Sequence, residues 1–133
     1  MFRVVKIKEK VQEVINGSMR VTIRYKFESM NSYIGKCRNN YYLANKVKQS
    51  ETELARLAFT KIPVITKFPI QLTFNWYMKS KIADLDGRFG KNIIDGLVRA
   101  NKIPDDNVKY IQRIIHNYKE SKEDYVEVEI SEL

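Results

Sequence analysis

FPIQLTFNWYMKSKIADLDGRFGKNIIDGLVRA, residues 68–100, changes its hydrophobic period once, and that change sets the centre of the fold. From Phe68 to Met78 the chain alternates: Phe68, Ile70, Leu72, Phe74, Trp76 and Met78 take one side, and Gln71, Thr73, Asn75 and Tyr77 the other. Period two belongs to a half-buried strand. Over residues 88–100 the spacing becomes helical, with Phe89, Ile93, Ile94, Leu97 and Val98 forming an apolar stripe. Asn101 and Pro104 end that helix. Between strand and helix lies an acidic connection, Asp84-Leu85-Asp86-Gly87.

The neighbouring segments extend this pattern. FRVVKIKEKVQEVINGSMRVTIRYKF, residues 2–27, places β-branched runs on either side of Asn16-Gly17, a strong hairpin signal. Two antiparallel strands are expected, the second reaching about Phe27. ESMNSYIGKCRNNYY, residues 28–42, reads as a polar loop. A helix is expected over residues 45–59, with Val47, Leu54, Leu57 and Ala58 near its apolar face and Lys46, Lys48 and Glu51 mostly outward. Pro63 and Pro69 bracket the connection to the central strand. Beyond the second helix, Asp105-Asp106-Asn107 makes a turn, VKYIQRIIHNY is rich in strand formers, and Val126, Val128 and Ile130 point inward from a closing strand. The order β-β-α-β-α-β-β is that of an α+β domain: a mixed sheet with two main helices on one face and an N-terminal hairpin.

All 133 residues fit one domain, large enough to bury a core. No apolar run approaches the roughly 18 residues a membrane span needs. The first residues lack the apolar region and small-residue cleavage site of a signal peptide, so the cytoplasm is the expected location. One cysteine, Cys37, excludes an internal disulfide framework and a Cys-rich zinc site. Net charge is +8, and residues 1–50 hold 11 Lys/Arg against 3 acids, whereas residues 51–133 hold 13 of each. A basic excess confined to one segment favours a polyanionic partner, nucleic acid first. A solvated basic face is the plainer alternative.

In extended backbone Asp84 and Asp86 would point to the same side, with Cα atoms roughly 6.5–7 Å apart; on a helix they would diverge. Two converging carboxylates repel unless protonated or bridged by a cation, and hard oxygen donors suit Mg²⁺ or Mn²⁺. Lys91 follows in the first turns of the helix, where an ammonium can face a phosphate. The second pair, Asp105-Asp106, lies past a helix that would separate it from the first by roughly 20 Å. The chain must therefore run back beside the helix, or a second subunit must contribute. Together these groups suit metal-assisted phosphodiester hydrolysis. Two other readings stand beside this one. Asp86 caps the helix, Asp84 is solvated and Asp105-Asp106-Asn107 is turn chemistry only. Alternatively, Asp84-Leu85-Asp86-Gly87 looks like the Asp-x-Asp-Gly-Thr/Val motif of haloacid-dehalogenase-type phosphatases, with Arg88 in place of Thr or Val.

From about Arg20 to Leu133 the chain resembles the RusA family of Holliday junction resolvases. The resemblance rests on Asp84-Leu85-Asp86, on Lys91 with Asp95 four residues later, on Asp105-Asp106, on Met30-Asn31-Ser32-Tyr33 after a strand, and on the closing Ile130-Ser131-Glu132-Leu133. Gly87 stands where the family pattern has asparagine, and one extra residue separates Asp86 from Lys91; Gly87 and Gly90 can absorb it as a local bulge. Residues 1–16 would be an added strand. The resemblance implies a homodimer that cuts four-way DNA junctions by paired symmetric nicks with Mg²⁺ or Mn²⁺. Asp84, Asp86 and Asp106 would hold the metal, Asp105 would be a lesser neighbour, and Lys91 would face the phosphate. Arg20, Arg24, Lys26, Asn31, Tyr33, Lys36, Arg38, Lys46 and Lys48 are the expected DNA contacts. A DNA-binding protein with a decayed acid site is the alternative from another class.

The remaining single residues carry weaker signals. His116 has no nearby metal-ligand partner in the sequence and reads as structural or exposed. Cys37 has no His partner to make a nucleophile. Tyr33, Tyr41 and Tyr42 suit base stacking or loop packing equally.

Overall fold

The computed structural model describes residues 18–82 and 84–133. Its strands are β1 (Ser18–Ile23), β2 (Ile70–Met78), β3 (Ile111–Glu120) and β4 (Tyr125–Glu132), and its helices are α1 (Met30–Asn39), α2 (Tyr41–Phe59) and α3 (Lys91–Arg99). The sheet runs β1-β4-β2-β3. β2 and β3 are parallel neighbours joined through α3, and β4 lies antiparallel to both β1 and β2. This is the expected α+β architecture with a mixed sheet.

The alternation along β2 does what its period requires. Ile70, Leu72, Phe74, Trp76 and Met78 are buried, together with Val21, Ile23, Val126, Val128 and Ile130, beneath Ala55 and Phe59 of α2 and Ile93 and Leu97 of α3. The opposite sheet face is polar, yet Thr73 and Asn75 on it are buried too. There the Asn117 side-chain amide donates to Asn75 at 3.0 Å, and Asn75 donates to Glu127 at 3.0 Å. Tyr77 stacks on Tyr125 with ring centroids 4.4 Å apart.

Residues 28–42 are not a loop. They form α1 and the first turn of α2, so the helix expected from residue 45 begins at Tyr41 and the helices number three among the described residues. The Ser and Asn residues that suggested a loop act as caps. Ser29 accepts the Ser32 N–H at 3.2 Å, and the Asn40 side chain accepts the Leu43 N–H at 3.0 Å. Asn40 also closes α1 through its own N–H, 2.7 Å from the Lys36 carbonyl. β1 stops at Ile23, short of Phe27, and the other strand of the expected hairpin lies outside the described residues.

The buried stripe of α2 is Ala44, Glu51, Thr52, Ala55 and Phe59, while Leu57 is exposed. Glu51, expected to face outward, is only 2% exposed. It is turned inward by two donors: the Asn92 side-chain amide of α3 at 2.8 Å and the Glu28 N–H at 2.9 Å. Close packing fixes the same helix pair one turn on. A Cβ added to Gly96 would lie 2.5 Å from the Ala55 Cβ and 2.7 Å from the Arg56 nitrogen.

Helix α3 starts at Lys91, later than residue 88, because Leu85–Gly87 forms a separate 3-10 turn and Gly90 presses on the Phe74 ring. Its end reverses the chain. Asn101 takes φ 60°, its N–H reaches the Val98 carbonyl at 2.9 Å, and the Lys102 N–H reaches the Leu97 carbonyl at 3.3 Å. These two bonds are a Schellman motif with asparagine in the left-handed position.

Candidate active site

The reversal after α3 brings the second acid pair back to the start of the helix, to Lys91. It carries Asp106 back along the helix until its carboxylate stands 3.3 Å from the Lys91 ammonium. The same ammonium lies 2.9 Å from Asp95, one turn further along α3. The hydrogen bond to Asp95 foremost, with Asp106 adding to it, raises Lys91 above the ordinary lysine pKa against the opposing effect of burial. Lys91 is therefore a fixed positive charge at neutral pH rather than a proton donor.

Asp105 and Asp106 divide their work. Asp105 accepts the Asp106 N–H at 2.8 Å and the Asn107 side-chain amide at 3.1 Å, and Asn107 in turn accepts the Lys109 N–H at 2.9 Å. This is the turn chemistry of Asx residues. Asp105 shapes the loop, and Asp106 meets the lysine. Both border a cavity of about 280 Å³ between α2 and α3, into which Lys48, Arg99 and Asp95 also face.

Asp84 and Asp86 occupy the turn ahead of α3, which packs against β3. Both are exposed, and Asp84 precedes the turn with extended backbone and no side-chain capping bond. The N-cap of α3 is Gly90, so neither acid caps that helix. Among the described residues, no three His, Cys, Asp or Glu side chains gather closely enough to hold a metal ion. The donor type is the one Mg²⁺ and Mn²⁺ take: Asp84, Asp86 and Asp106 are carboxylates, exposed or half-exposed, and neither Asp84 nor Asp86 makes a side-chain capping bond.

The expected DNA contacts do not share one surface. Arg20 lies on the polar face of the sheet, away from the helices, 3.8 Å from Glu129. Arg24 stands 4.1 Å over the Tyr125 ring and 3.8 Å from Glu123, and Lys26 is 3.8 Å from Asp124. Asn31, Tyr33, Lys36 and Arg38 are on α1, where Lys36 pairs with Glu28 at 2.9 Å and Tyr33 lies 6.2 Å from the Phe89 ring. Lys46 and Lys48 are on α2, the former 5.7 Å over the Tyr42 ring. The α1–α2 group adjoins the acidic turn through Tyr33 and Phe89; Arg20 does not join it.

His116 is structural: the Trp76 indole N–H donates to its Nδ1 at 2.9 Å, and burial lowers its pKa, so the neutral ring carries its proton on Nε2. Cys37 is a free, half-buried thiol. Sequence reasoning missed Arg88, which sits beside Trp76 and donates to the Phe27 carbonyl at 3.3 Å. In the sequence it stands out only as a departure from a phosphatase motif, and the carbonyl it bonds lies 61 residues away. Compared with known proteins, the chain matches no family model and no curated protein. Among the described residues, no helix is long and apolar enough to cross a membrane.

Proposed function

We propose that this chain is a metal-dependent, structure-selective endodeoxyribonuclease of the RusA kind, acting as a homodimer on four-way DNA junctions in the cytoplasm of a bacterial or phage-infected cell. The observation that carries the reading is the Lys91 ammonium set between Asp95 and Asp106, on a helix preceded in the chain by two exposed carboxylates that make no side-chain capping bond. The lysine would face the scissile phosphate and offset charge that develops in the transition state. Asp84, Asp86 and Asp106 would hold Mg²⁺ or Mn²⁺, which when bound supplies an activated water and a counter-charge for the leaving oxygen. Twofold symmetry suits a substrate that needs two matched incisions. The basic α1–α2 surface would follow the backbone phosphates.

A second reading has its own support. With no three acids gathered among the described residues, a DNA-binding protein with a decayed acid site is the alternative. A labelled four-way junction, incubated with purified protein with and without Mg²⁺, separates the two. Paired symmetric nicks that need the metal support the nuclease; binding without nicks supports the alternative. If Asp84→Asn nicked the junction at the wild-type rate, the catalytic assignment would be wrong.

A further inference from the structure

Arg88 is a half-buried cation for which the described residues supply no ion pair. A guanidinium has five N–H donors, and among the described residues Arg88 makes one hydrogen bond, to the Phe27 carbonyl at 3.3 Å. Its Nε is buried with no partner. Three carboxylates stand near enough to influence it electrostatically, Asp124, Glu28 and Glu51, and each is engaged elsewhere. Asp124 faces Lys26 at 3.8 Å, Glu28 faces Lys36 at 2.9 Å, and Glu51 accepts from Asn92 at 2.8 Å.

The same residue borders a cleft of about 360 Å³ that Lys26, Glu28, Ser29 and Ser32 also line. The one carboxylate there is already neutralised. Burial pushes the Glu28 pKa up, but the bonds from the Ser32 hydroxyl at 2.6 Å and Lys36 at 2.9 Å outweigh it and hold the group ionised and paired. What remains for a ligand is positive: Arg88, and a Lys26 side chain 70% exposed and only loosely tied to Asp124. The Ser29 hydroxyl accepts the Ser32 N–H and keeps its own proton to donate.

We propose that this cleft seats a phosphate group, with the Arg88 Nη groups as its anchor and Lys26 and Ser29 as further donors. A planar guanidinium with unused donors matches phosphate oxygens in pairs. The ligand is either a backbone phosphodiester of nucleic acid or free phosphate; the first rests on the nuclease reading above, the second does not. Arg88 is two residues beyond Asp86, so a diester held here would adjoin the phosphate at the acidic turn.

Trp76 is the chain's single tryptophan, and the Arg88 guanidinium lies 5.9 Å from its ring. Its emission therefore reports movement of Arg88. Titrating the full chain with inorganic phosphate, at ionic strength matched with chloride, should give a saturable change that Arg88→Gln abolishes. With a synthetic DNA duplex, Arg88→Gln should bind about tenfold more weakly, and its log–log salt slope should fall by about one. Lys26→Gln, at an exposed position, provides a second variant with the same change of slope. Saturation by phosphate without any DNA binding would keep the seat, with free phosphate as ligand, and end the nucleic-acid reading. DNA binding with the slope unchanged in both variants, and flat emission with phosphate, would overturn the seat and leave that reading intact.

Discussion

Two acid pairs flank α3, and the fold treats them differently. Ahead of the helix, Asp84 just before a 3-10 turn and Asp86 within it are exposed, and neither makes a side-chain capping bond. Beyond the helix, Asp105 is consumed by its own turn, and Asp106 is held against Lys91. Identical side chains thus differ in what remains available for a ligand. For Asp105 the donors are its own neighbours in the turn; for Asp106 the donor is a lysine that the reversal of the chain brings back to it.

The largest test of this contrast is in activity. Asp84→Asn and Asp106→Asn should each lower junction cleavage on the order of a thousandfold, the scale of losing one preorganised electrostatic group, while gel-shift binding survives. Asp105→Asn should lower cleavage far less. Next comes the helix that carries Lys91 to Asp106. Gly96→Ala forces a methyl into Ala55 and the α2 backbone, and should cost about 2–3 kcal/mol in urea unfolding. Asp105→Ala removes acceptors for two donors and should cost about 1 kcal/mol, loosening Asp106 while the turn at Asp84 and Asp86 is unmoved by NMR.

The smallest effect belongs to a third, buried acid. Burial first, with the Glu28 charge adding to it, raises the Glu51 pKa despite the bonds it accepts. A raised carboxyl pKa contributes stability that is complete below the ordinary glutamate value and lost as pH rises through the folded-state value. Glu51→Gln should therefore gain on the wild type as pH climbs through that window, measured by denaturant midpoints.

Much of the fold was legible where one face of an element is buried. β2, β4 and α3 follow their apolar periods, and Asn101 ends α3 as its type suggests. The α1 segment was not legible, because a helix with no buried residue has no apolar stripe to read, and its Ser and Asn caps resemble loop residues. The orientation of α2 was misread for a related reason. Charge argued that Glu51 faces water, but Asn92, 41 residues away, satisfies it in the interior.

The site divides along the same line. Sequence alone marked the acids, Lys91 and the basic first segment, because residue type and local spacing are properties of the chain. Only the tertiary structure decided that Asp106 returns to Lys91 and that the Arg88 Nε, among the described residues, is buried without a hydrogen-bond partner. Each of those depends on hydrogen-bond partners distant in sequence, and a polar group is satisfied or left wanting only by what folding sets beside it.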